Sequence, residues 1–324
     1  MFKNMKLWLK ISLSISILTI VGLAIILFVS TNDTRNTIND NMGARMVEMA
    51  NHKATVFKEY YDDYITFEKG FAATATVKNA LENPDDKEVV ADLQASVSAA
   101  AESFPALEGF FVMDTDSVII AHSNTPAVGA QVYGDDRKDV LELVTNSVLE
   151  TGICVRGITV STSTGELVAN AFIGVFDGDE LIGFVSGGFF VSDLKAVMDT
   201  MTIENLPNAT EYVIDLDQNT YVMAEDDEML STEVTDPSHL EAIAASENAD
   251  IGIVEASDEN GVANFTAYYK LADYNFLVLV ANPSSDIFAS VNTLMVKLII
   301  IILAVLIILV VVTVFVSRDR KSVV

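Results

Sequence analysis

The sequence predicts an α+β fold: a long N-terminal helix and two antiparallel-sheet modules in series, flanked by two transmembrane helices. Three observations predict it. Residues 7–30 and 298–316 are apolar almost throughout, the second stretch without one charge. Each is long enough to cross about 30 Å of hydrocarbon as a helix. Between them, a segment of helical period gives way to two sets of short β-rich runs in the same order.

The first stretch exceeds the ~7–15 apolar residues of a signal-peptide core, and no small-x-small site follows Val29, so an uncleaved anchor is expected. Lys3, Lys6 and Lys10 precede this span, and Arg318, Arg320 and Lys321 follow the second. The positive-inside tendency puts residues 1–6 and 317–324 in the cytoplasm and residues 31–293 outside the cell membrane. Seven of the 19 Lys and Arg lie before residue 11 or from Lys297 onward, leaving twelve for the external part, which carries nearly all 46 acidic residues. Such a surface repels nucleic acid and anionic lipid, so lipid contact is expected only through the spans. Cys154 is the one cysteine, which excludes an internal disulfide.

The first span leads into a stalk helix, residues 31–80. Ile38, Met42, Met46, Met49, Phe57, Tyr60, Tyr64, Phe67 and Phe71 recur mostly at steps of three and four, with Lys53 in the gap, and no Pro or Gly interrupts residues 44–69. This is a packing stripe, for its own domain and for the twin helix of a homodimer. Residues 81–203 form a membrane-distal module, with strands at "EGFFVMD", "SVIIAH", "ICVRGITVS", "LVANAFIGVF" and "ELIGFVSGGFFV". A helix starting near Asp136 interrupts them, and a second, with Ser192 as its cap, closes the set. Residues 204–283 repeat the order in a smaller membrane-proximal module: "TEYVIDLD", "TYVMAED", the helix "PSHLEAIAASE", then "DIGIVEAS", "VANFTAYYKL" and "NFLVLVAN". An exit helix, residues 284–297, runs without a break into the second span.

This arrangement resembles the double Cache sensor domain, two PAS-like modules in series found outside the membrane on bacterial chemoreceptors, sensor kinases and cyclic-dinucleotide enzymes. The matching stretches are "FFVMDTDSVIIAHSNTPAVGAQV", "TGELVANAFIGVFDGDELIGFVSGGF" and "YYKLADYNFLVLVANPSSDI", and the resemblance covers about residues 33–293. It implies a small-molecule ligand in the distal module, held against one sheet face under the segment "VGAQVYGDDRKDVLELV". One subset of the family grips amino acids with an Arg-x-Trp-Tyr run and a later Asp. Arg137 matches the arginine, but Asp139 and Val140 stand where Trp and Tyr would be, and Gly188 where the Asp would be. The resemblance therefore does not carry that scheme to this chain.

Arg137 fits two roles: an exposed residue at a helix start capped by Asp135 or Asp136, or a guanidinium turned inward to grip an organic anion in a fork. Tyr133 can bond a ligand or pack under the loop. Asn170 and Phe172, two apart on one strand, share a face, and with Phe110 and Val112 they are candidates to line the pocket. Arg156 is a candidate second anion contact. The three histidines lack ligand spacing, so no metal is expected. "DLDQNTYVMAEDDE" lacks the spacing and glycine of a calcium loop and reads as a solvated acidic turn. No Ser–His–Asp frame, P-loop or dinucleotide fingerprint appears, so neither an enzyme nor a cofactor is expected. The expected function is a transmembrane signal receptor, first a chemoreceptor. The alternatives are the sensor region of a histidine kinase or diguanylate cyclase, or a non-signalling anchored binding or adhesion ectodomain. The last residues, "SRDRKSVV", carry no linker or signalling core, so a fragment of a longer receptor is expected, with signalling through a separate cytoplasmic partner as the alternative.

Overall fold

The computed structural model describes residues 7–104, 107–161, 166–198 and 208–319. Lys3, Lys6, Arg320, Lys321, most of the turn at 161–166 and the linker 199–207 lie outside the described residues. Helix α1 (Leu7–Ala72) has 66 residues, about 100 Å at 1.5 Å per residue. Its N-terminal end is apolar enough to cross a membrane. Leu18 is 75% and Phe28 74% exposed there, so this end is not the core helix of a soluble fold.

The helix stops short of the expected residue 80. The Thr74 hydroxyl donates to Phe71 O at 2.8 Å and accepts from Val77 N at 3.4 Å. One side chain thus closes α1 and caps the next helix, α2 (Ala75–Glu82). Asp86 caps α3 (Lys87–Ser103).

The distal sheet comprises β1 (Leu107–Asp114), β2 (Ile119–His122), then, after helix α4 (Lys138–Thr151), β3 (Ile153–Val160), β4 (Leu167–Asp177) and β5 (Glu180–Phe190), followed by α5 (Val191–Met198). Its antiparallel order is β2-β1-β5-β4-β3. The proximal sheet comprises β6 (Thr210–Asp215), β7 (Thr220–Met223), then, after α6 (Pro237–Ser246), β8 (Ile251–Ser257), β9 (Ala263–Leu271) and β10 (Phe276–Pro283). Its order, β7-β6-β10-β9-β8, is the same.

Two helix starts differ from expectation. Residues 135–137 form a 3-10 turn and α4 begins at Lys138, with Arg137 at the N-cap and no capping side chain. The Asp135 carboxylate pairs with Lys138 at 2.7 Å instead of bonding free N–H groups. Ser192 lies inside α5, which starts at Val191.

One core runs through both modules, built on α1. The Tyr61 ring lies 4.9 Å from Phe189 of β5 and 5.6 Å from Phe276 of β10. Edge-on contacts of this kind add to the area each ring buries. Lys53, the polar gap in the stripe, is fully buried; it pairs with Glu211 of β6 and donates to Met198 O at 2.8 Å. The chain leaves through α7 (Ser284–Ile287) and α8 (Ala289–Asp319), the second helix apolar enough to cross a membrane. The expected unbroken exit helix is interrupted at Phe288, whose ring sits 6.1 Å from Phe265 and 4.8 Å from the Arg35 guanidinium. The two spans adjoin where the Thr31 hydroxyl meets Met295 Sδ at 2.7 Å.

Candidate functional site

Successive residues of a strand point to opposite faces, so register decides what the distal sheet offers on each side. On the inner face, Phe110, Val112, Ala169, Ala171, Val185 and Phe189 join the core on α1. The outer face lies under α4 and the segment before it. There, cross-strand pairing lines up His122, Phe111, Ser186, Phe172 and Cys154 across all five strands. The next row is Gly109, Gly188, Asn170 and Arg156. Its two adjacent glycines are covered by side chains of the same face. The Asn170 carboxamide leans over Gly188 and the His122 imidazole over Gly109, 2.8 Å and 3.2 Å from where Cβ atoms would stand.

The cover is held by its ends. Ser117, at φ 63°, donates its hydroxyl to Tyr133 O at 3.1 Å and accepts from Tyr133 N at 3.2 Å. This pair of hydrogen bonds fixes Tyr133, 5% exposed, with its ring 6.0 Å from Phe172. Helix α4 buries Val144 and Val148 in the same cluster and ends on Gly152, whose φ of 82° is the left-handed C-cap conformation that glycine adopts freely.

Arg137 is exposed, and its guanidinium carbon sits 5.2 Å from the Tyr133 ring centroid, a cation–π distance. Arg156 is half-buried on β3, opposite Asn170. Burial pushes the Tyr133 phenol up to about 12, and the positive fields of Arg156 and Arg137 partly offset it. These are the only two arginines between Arg45 and Arg318. Arg137 lies over the Tyr133 ring and Arg156 stands on the same face, and among the described residues neither pairs with a carboxylate. Burial also holds His122 below the usual histidine range, against the pull of Glu108. Its Nδ1 accepts from Asn124 N at 2.8 Å, which leaves the proton on Nε2. The face thus presents two cations and neutral donors.

Five of the seven sequence candidates meet here: Arg137, Tyr133, Asn170, Phe172 and Arg156. Phe110 and Val112 do not. Both are fully buried on the opposite face, Phe110 at 4.8 Å from Phe71 of α1. The register pairs Phe111, not Phe110, with Ser186 beside Phe172, so the outer-face residues of β1 are Phe111 and Met113. Phe111, His122, Cys154 and Ser186 were not candidates from sequence. The parity of Phe172 selects them only once the strands are in register. Among the described residues no group of three or more His, Cys, Asp or Glu could hold a metal ion.

No family model matches the chain, and no curated protein matches it by sequence. Solved structures do match. The sensor domain of the V. cholerae histidine kinase DctB has a TM-score of 0.55 at 11% identity, over 78% of this chain and 99% of that one. The sensory domain of the Campylobacter jejuni chemoreceptor Tlp3 with isoleucine bound has 0.56 at 12%, over 78% and 97%. The ligand-binding domain of the Pseudomonas aeruginosa PAO1 amino acid chemoreceptor PctB, in complex with L-Arg, has 0.55 at 11%, over 77% and 98%. The fold is shared with bacterial sensory domains, as the sequence resemblance to double Cache domains implies.

Proposed function

We propose that this chain is the sensing part of a transmembrane receptor, and that the face of the distal sheet under α4 binds a small organic anion. The observation that carries the reading is the placement of Arg137 over the Tyr133 ring and of Arg156 opposite Asn170 on the same face, with no carboxylate paired to either among the described residues. An unpaired guanidinium in an acidic protein is a ready fork for a carboxylate. Asn170 and the Nε2–H of His122 lie over the two glycines as neutral donors. The spans cross the cell membrane with both termini inside, residues 31–293 face outward, and two copies pair along α1. Occupancy shifts α8 against α1 and drives a chemotactic output; the likeness to both chemoreceptor and kinase sensor domains keeps a kinase output as the alternative.

The test is a thermal-shift screen of the full chain in detergent against organic acids, amino acids, amines and nucleobases. A ligand that binds only the folded state raises Tm in proportion to its saturation. Saturable stabilisation by organic acids is expected, weakened about tenfold or more in affinity by Arg137→Ala. Stabilisation by amines alone, or acid affinity indifferent to Arg137→Ala, would refute the reading.

A further inference from the structure

Immediately after Arg156, strand β3 bulges: its register with β4 shifts between Arg156 and Ile158. Gly157 occupies the bulge and is buried. A Cβ on it would collide with Asp215 Oδ2 and stand 2.6 Å from Gln218 Nε2. Those side chains belong to the turn joining β6 and β7 in the other module. The proximal turn therefore lies against the backbone of β3, directly behind the residue that carries Arg156 on the outer face. An edge strand such as β3 is otherwise open to disruption.

The turn itself is stiff. The Asp215 carboxylate, 3% exposed, accepts from Asp217 N at 2.8 Å, Gln218 N at 3.0 Å and Gln218 Nε2 at 3.0 Å. Asn275 donates its side-chain amide to Asp217 Oδ1 at 2.6 Å, and its carbonyl accepts from Leu216 N at 3.0 Å. Asn275 directly precedes β10, the strand that leads through α7 into the second span. The acidic run here is thus not wholly solvated, as its composition implies. Its first carboxylate is a buried packing element, and burial raises its pKa above the usual range.

We propose that this turn is a joint: the bulged Gly157 of the distal module is seated on the pinned Asp215 carboxylate of the proximal module, and reports movement of β3 to the strands that lead into α8. An anion that draws in the Arg156 guanidinium moves β3, and Gly157 passes that movement on. A ligand biases the joint only through its different affinity for the two positions. The ligand reading of the outer face gives the joint its purpose, while the joint is tested without any ligand, so the two fail separately.

Cys154 is a native reporter. It is the chain's one cysteine, 3% exposed, on the same strand and face as Arg156. Burial raises its thiol, and it packs under Val144 and Val148, so it reacts only when the contact between β3 and α4 opens locally. The rate of its reaction with a small aromatic disulfide is measured on the full chain in detergent. Asp215→Ala and Gly157→Ala are each expected to raise the rate about tenfold. Asp215→Asn, which keeps shape and an acceptor oxygen, stays within about twofold of the wild type. Asp258→Ala is the control, because Asp258 pins the β8–β9 turn of the same module in the same way, at 2.9 Å from both Asn260 N and Val262 N. It leaves the rate unchanged. If Asp215→Ala fails to fold by circular dichroism, Gly157→Ala decides alone. Unchanged rates in the folded joint variants, or an equal rise in Asp258→Ala, overturn the proposal.

Discussion

On the distal sheet, the face under α4 runs His122, Phe111, Ser186, Phe172 and Cys154 in one row, and Gly109, Gly188, Asn170 and Arg156 in the next. On the proximal sheet, the corresponding face under α6 runs Tyr212, Leu279, Tyr268 and Gly252. The Tyr268 hydroxyl fills the space over that last glycine, 2.5 Å from where its Cβ would stand. His239 seals the face from above: its ring lies 4.3 Å from Tyr212, and its Nδ1 is 2.8 Å from the Tyr221 hydroxyl. No arginine lies anywhere in residues 157–317. The 550 Å³ cleft beside Tyr212 is rimmed by Glu225, Asp226 and Asp227, which repel an anion. One topology thus carries two different faces. Strand order places a face, but its filling decides what the face can do.

The comparison can be broken most forcefully through what the modules share. Tyr61 touches a ring of each sheet, so Tyr61→Ala is expected to cost about 3–5 kcal/mol and to lower a single melting transition of both sheets. Two separate transitions, with only one shifted, would show that the modules are independent.

Glu68 tests the distal core alone. It is fully buried, with one oxygen 3.0 Å from the Tyr64 hydroxyl. Burial holds its pKa well above the carboxylate range, against the bonds from Tyr64 and the Gly187 backbone. A raised folded pKa means that the native state binds more protons, so stability falls as pH rises above the unfolded value of about 4.3. Glu68→Gln is expected to flatten that slope in urea unfolding and to gain on the order of 1 kcal/mol at pH 8.

His239 does the reverse for the proximal module. Burial holds its pKa below the usual value, opposed by Asp236 and Asp258. The neutral form belongs to the folded state, so stability present above about pH 6.5 is lost as pH falls through the lower folded value. Between pH 7.5 and 5, His239→Phe should lose less stability than the wild type, by up to about 1 kcal/mol. An equal loss would assign the acid sensitivity to His122, which burial shifts in the same direction.

The smallest effect sits at the paired glycines. At Gly188 a Cβ meets the movable end of Asn170 at 2.8 Å and Val168 Cβ at 3.2 Å but no backbone atom, so Gly188→Ala is expected to cost about 1 kcal/mol. At Gly187 it meets the backbone oxygen of Gly109 at 2.8 Å, and Gly187→Ala should cost about 1–3 kcal/mol. Reversed costs would mean that the two rows have been assigned to the wrong faces.

Much of this was legible in the residues. The order of strand, turn, strand, helix and three strands was visible in both halves, because β-rich runs and acidic turns mark themselves locally. Arg137, Tyr133, Asn170, Phe172 and Arg156 were within reach because cations are scarce in this chain and residues two apart on a strand share a face. Phe110 and Val112 were misplaced because parity holds within a strand, whereas its match to the next strand depends on register and bulges. The joint was hidden for a related reason: nothing local to "RGI" shows that Asp215, from the other module, packs against that glycine.

The most direct measurement is a calorimetric titration of the organic acid that stabilises the full chain most, repeated on an Arg137→Ala/Arg156→Ala double variant and on Tyr212→Ala. At least about a hundredfold loss of affinity is expected in the double variant, with an unchanged isotherm for Tyr212→Ala. Unchanged binding to the double variant, with loss in Tyr212→Ala, would place the site in the proximal module and rule out the distal face as the anion site.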